Sequence, residues 1–132
     1  MYGTSKLELI QMIMRLKKDV PEAILDCISF FCDESKGMWH NRARARIARN
    51  LRIEMLNSKE KSRIVEVIIR RLADGNFSEQ FSDQLDLALK LNRDAILAAA
   101  KKGRTHPRDF IRRKSEWIIA RHERITKSKR AE

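Results

Sequence analysis

The chain has little of what builds β architecture or an extracellular fold: four glycines, two prolines and two cysteines in 132 residues. So few turn formers leave little room for successive tight hairpins, and no segment alternates apolar and polar residues between paired turn signals. Cys27 and Cys32 are five residues apart, which on a helix turns their side chains about 140° from one another; they do not bridge within it and read as reduced core residues. Neither belongs to a C-x2-C spacing, and His40, His106 and His122 are scattered, so no metal and no cofactor are expected. No window approaches the roughly 18 apolar residues a membrane span requires, and Met1 to Leu9 lacks a basic segment followed by an apolar run. The expectation is a cytoplasmic, intracellular chain without membrane contact. Metalloprotease H-E-x-x-H spacing, a P-loop glycine run, a nucleophile elbow and kinase signatures are all missing, so a non-enzymatic protein with no catalytic residues is expected.

What is present favours helices. Hydrophobic residues make up 42% and charged residues 36% of the chain, enough apolar surface for one core in a domain of this length. Capping signals recur where the apolar periodicity restarts, and they divide the sequence into about seven helices. Ser5 with Glu8 forms a capping box that opens the first, and Asp19 with Pro21 and Glu22 opens the second. Gly37 breaks the chain before a third helix from about Met38 to Leu56, and Asn57 with Glu60 starts a fourth that Gly75 ends. Ser78 begins the fifth, Asn92 caps a sixth from Arg93 to Lys102 that stops at Gly103, and the last starts near Pro107. Short joins make neighbours antiparallel, so the predicted fold is all-α: a compact bundle or a short α-solenoid-like stack. One helical domain is expected over residues 1–126, followed by a polar tail, 127–132, expected to fray.

The formal charge of +11 is segregated. Residues 1–35 and 72–97 are mildly acidic, whereas residues 36–71 hold 11 basic and 3 acidic side chains and residues 98–132 hold 12 and 4. On the third helix Arg42, Arg46 and Arg49 fall within a sector about 60° wide, opposite Ala43, Ile47, Ala48, Leu51 and Met55. Guanidinium groups so aligned can donate forked hydrogen bonds to phosphate oxygens. Trp39 borders the sector and is either a base-stacking residue or a core anchor. Around the last helix start, the segment Gly103 to Lys114, with Arg104, His106, Arg108, Arg112, Arg113 and Lys114, forms a second candidate phosphate clamp, which Asp109 slightly opposes. The outer stripe of the fourth helix, Lys59, Arg63, Glu66 and Arg70, contains its own acid and reads as a solvated face; Asp83 and Asp86 read likewise, with Asp86 placed to pair with Lys90.

In the last helix Lys114 and Arg121 project into the same arc as Phe110, Trp117 and Ile118, which breaks its amphipathicity and marks Lys114, Trp117 and Arg121 as candidate partner-binding residues. The expected function is a basic helical module binding nucleic-acid backbone with little sequence specificity. The alternative is a protein-interaction module that meets an acidic partner or self-associates into a homo-oligomer.

Overall fold

The computed structural model describes residues 5–18, 20–36, 39–78 and 80–131. Among them are seven helices and no strand: α1 (Lys6–Lys17), α2 (Pro21–Cys32), α3 (His40–Asn50), α4 (Ser58–Asp74), α5 (Phe81–Leu91), α6 (Arg93–Gly103) and α7 (Asp109–Ala131). Asp19, Gly37 and Met38, expected above as helix opener, chain break and helix start, lie outside the described residues.

The caps explain most boundaries. Ser5 Oγ accepts from the Glu8 amide, and Asn57 and Glu60 form a reciprocal capping box at the start of α4. Asn92 accepts from the Ala95 amide at the start of α6. Gly75 ends α4 with φ 71°, where a side chain would be strained, and a Cβ there would also stand 2.7 Å from the Phe110 ring.

Four boundaries depart from expectation. α3 stops at Asn50, whose side-chain amide turns back to donate to the Arg46 carbonyl at 2.7 Å; the chain then extends through Leu51 into a short 3₁₀ turn, Ile53–Met55. Leu51 and Leu56 are still buried from this loop, but Met55 is exposed rather than core-facing. At α2 the cap position is Val20, with Pro21 in the first turn. Ser78 lies in the turn ahead of α5, its carbonyl accepting from the amide of Phe81, the first helical residue. Gly103 does not terminate α6 in a left-handed conformation; it is the last helical residue, and a Cβ on it would fall 1.9 Å from Oγ and 2.9 Å from Cβ of the fully buried Ser115. Its role is to let α6 approach α7. The backbone of α7 stays helical through Ala131, across most of the segment expected to fray.

The helices pack as two rows: α1, α3 and α5 follow one another in one, α2, α4 and α6 in the other, and α7 lies against α6 and α4. α4 touches α2, α5, α6 and α7, which closes the rows into a bundle around one core. Phe31, Ile47, Ile64, Ile68, Leu85, Ile96 and Ile118 are fully buried there, each contributing roughly 1.5–3 kcal/mol of hydrophobic stabilisation. α5 therefore runs between α3 and α6, with acidic side chains within reach of both basic stretches.

Candidate nucleic-acid interface

The α3 ridge is formed as the helical spacing predicts. Arg42 and Arg46 are exposed, and Arg49 reaches α5, where its Nη1 lies 2.9 Å from Asp83 Oδ2. Arg46 has no ion-pair partner among the described residues. Trp39, half-buried at the cap of α3, packs against the core and carries two cations on its ring: Lys6 Nζ 4.0 Å and Arg42 Cζ 5.0 Å from the centroid. Its ring thus orients Arg42.

In the second candidate clamp, Arg104 and Arg108 are exposed. Arg112 closes the turn before α7: its Nη1 donates to the His106 and Pro107 carbonyls at 2.8 and 3.0 Å, and its Nη2 to Asp109 at 3.1 Å. Asp109 also receives Arg113 Nε at 3.0 Å. One carboxylate at the helix start, where the dipole favours it, holds both arginines.

The arc of α7 is the more open surface. Lys114 Nζ lies 5.7 Å from the Trp117 ring centroid and 5.9 Å from that of Phe77, a residue of the turn between α4 and α5. Phe77 stacks on Phe81 and leans against Phe110, which is 40% exposed. Phe77, Ser78, Phe110, Arg113, Lys114 and Trp117 line an open groove of about 620 Å³. One turn beyond Trp117, Arg121 Nε donates to Asp86 Oδ1 at 3.1 Å. Asp86 therefore pairs with α7 and not with Lys90, because its half-buried carboxylate faces the packed α7 while Lys90 is exposed.

Asp83 and Asp86 lie three residues apart on one face of α5. Through them the structure brings Arg49 of α3 and Arg121 of α7 onto adjacent turns of the same helix, although the two are 72 positions apart in sequence. Phe77, Asp83 and Asp86 are functional candidates that sequence reasoning missed or treated as plain surface.

It also missed two arginines that are interior. Arg44 and Arg71 are 5% and 3% exposed. Arg71 Nη2 donates to the Phe31 and Asp33 carbonyls, its Nη1 to Gln84 Oε1 at 2.9 Å and its Nε to Glu34 at 3.1 Å. Arg44 Nη2 donates to the Asp33 and Ser35 carbonyls at 2.6 and 2.7 Å, and its Nη1 to Asn41 at 3.1 Å. Together they cover the carbonyl end of α2, where positive charge is favoured. Burial pushes the Arg44 guanidinium down to about 10, helped by the neighbouring charge of Arg71, and burial lowers Arg71 as well. The available signal was position: Arg71 continues the inward stripe Ile64 and Ile68, and Arg44 stands one turn before Ile47 and Ala48.

Among the described residues no group of three or more His, Cys, Asp or Glu side chains is placed to hold a metal ion, and no helix is long and apolar enough to cross a membrane. No family model, no curated protein and no solved structure matches the chain.

Proposed function

We propose that the protein is a non-enzymatic helical module that binds nucleic-acid backbones with little sequence specificity. The observation that carries this is the meeting of Arg49 and Arg121 on α5, which makes the ridge of α3 and the basic-aromatic face of α7 parts of one surface. Arg42 and Arg46 extend it on one side, Lys114 and Arg113 on the other; Arg104 and Arg108 are further exposed cations in the α6–α7 turn. Guanidinium groups suit phosphate oxygens, and the aromatic groove offers ring surface to an unpaired base.

The test is fluorescence anisotropy with a labelled oligonucleotide over a salt series. Micromolar binding is expected, weakening steeply as salt rises. Charge reversal of Arg42, Arg46 and Arg49 should reduce the slope of log affinity against log salt by about 0.9 for each phosphate no longer neutralised. Salt-insensitive binding, or none, overturns the proposal. A second reading, association with an acidic protein or another copy of the chain, draws on the exposure of Phe110 and of Leu7, Met14 and Leu25 on the first helical pair. A concentration-dependent oligomer in light scattering, with no oligonucleotide binding, favours it.

A further inference from the structure

Behind the ridge, the segment after α2 and helices α3 and α4 enclose a polar cavity of about 230 Å³. Three cations line it, Lys36, Arg44 and Arg71, against one carboxylate, Glu34. Two of those cations are more than nine-tenths buried, where charge requires a counter-charge or a full set of acceptors. The carbonyl end of α2 supplies about half a negative charge and Glu34 one more, which leaves the site positive. Asp33, the other acid near Arg44, is exposed.

The donor count agrees with the charge count. Arg44 Nε is buried and has no acceptor. The Nη1 atoms of Arg44 and Arg71 make one hydrogen bond each, to Asn41 and Gln84, and each nitrogen carries two hydrogens. Backbone carbonyls and Glu34 thus account for the guanidinium edges that cap α2, and Arg44 Nε is the guanidinium nitrogen of the pair left without an acceptor. The Nη2 atoms of both arginines donate to the same Asp33 carbonyl, at 2.6 and 3.2 Å, which places the two guanidinium groups close enough to act on one ligand.

A ligand that meets both deficits carries negative charge and several acceptor oxygens on one small centre. We propose that this cavity is a binding site for a phosphate-class oxyanion, held between Arg44, Arg71 and Lys36, with Glu34 competing for the same cations. Two sources offer that chemistry: free inorganic phosphate, and the terminal phosphate of a nucleic-acid strand. Phe77 lines both this cavity and the aromatic groove, so a nucleotide whose phosphate enters here has ring surface beside it for its base. The site does not depend on the backbone-binding proposal.

The experiment titrates inorganic phosphate into the full chain and follows heat and melting midpoint, with chloride at matched ionic strength as reference. Saturable binding beyond the chloride response is expected, weakened at least tenfold in Lys36→Glu and tightened several-fold in Glu34→Gln. Both substitutions change exposed residues, and circular dichroism checks that the fold is kept. Charge reversal of Arg42, Arg46 and Arg49 leaves phosphate affinity within about twofold, which separates this site from the outer surface. Tighter binding of a short 5′-phosphorylated oligonucleotide than of its 5′-hydroxyl form, in a manner that Lys36→Glu abolishes, assigns the strand terminus as source; equal binding of the two forms alongside saturable inorganic phosphate assigns the free anion. No saturable response above chloride, or affinities unmoved by both Lys36→Glu and Glu34→Gln, overturns the proposal.

Discussion

Arg44 lies two residues from Arg42 and two from Arg46, on the same helix, yet it is interior while they are in solvent. A two-residue step rotates a helical side chain by about 200°, so neighbours in sequence become residents of opposite environments. The exposed set is free to meet a partner and contributes little to folding. The buried set is engaged in covering the end of α2 and is structural first. The contrast shows that counting arginines in a basic block overstates its surface: two of the eleven basic residues between positions 36 and 71 belong to the interior.

The hardest way to break this comparison is at its buried end. Arg71→Met should cost about 3–5 kcal/mol in urea unfolding, since Glu34, Gln84 and two carbonyls are deprived of their donor together. A cost below about 1 kcal/mol would place Arg71 with the surface arginines. Cys27 reports on the same interior. Burial, with Asp26 adding to it, pushes its thiol up to about 12 from 9, so the stability it contributes is present below pH 9 and is lost as pH rises toward 12. Native alkylation at pH 8 should leave Cys27 intact until global unfolding, and earlier modification in Arg71→Met would show that removing the cap opens the core.

Gly103→Ala sets an intermediate scale far from either arginine set: the Cβ collides with Ser115, and a destabilisation of about 1–3 kcal/mol is expected in the same assay. Asp83→Asn removes the half-buried partner of the exposed Arg49, for an expected cost under about 1 kcal/mol, while oligonucleotide affinity rises because the ridge gains a free guanidinium. Smallest are single substitutions of Arg42 or Arg46 to Gln, each expected to change stability by less than about 0.5 kcal/mol while lowering affinity in anisotropy. A destabilisation matching that of Arg71→Met would erase the distinction.

Much of the fold was legible because its signals are local. Asn57 with Glu60, Asn92 and Gly75 act on atoms within a few residues, and each forms the cap its sequence predicts; Ser5 caps the Glu8 amide, but the Glu8 carboxylate accepts from the Ser5 hydroxyl and does not close the box. The end of α3 was harder, since whether Asn50 bonds outward or back to Arg46 is a competition that periodicity does not register. Of the candidate site, the ridge was legible from angular spacing alone. Its junction with α7 was not: Asp86 has a suitable partner four residues away in Lys90, and only tertiary packing delivers Arg121 instead. Phe77 was missed because a lone aromatic residue in a turn has no period. Arg44 and Arg71 left a trace, charge inside an apolar stripe, which segment totals of charge concealed.

The bonds of Arg71 have a consequence in time as well as in energy. Its acceptors lie at positions 31, 33, 34 and 84, so the guanidinium is satisfied only after α2, α4 and α5 have come together. Interactions between segments so distant along the chain are made late, and those absent from the folding transition state govern how fast the native state is left. Arg71 then acts as a latch on unfolding: its removal should raise the escape rate in denaturant-jump kinetics while refolding proceeds at nearly its original pace.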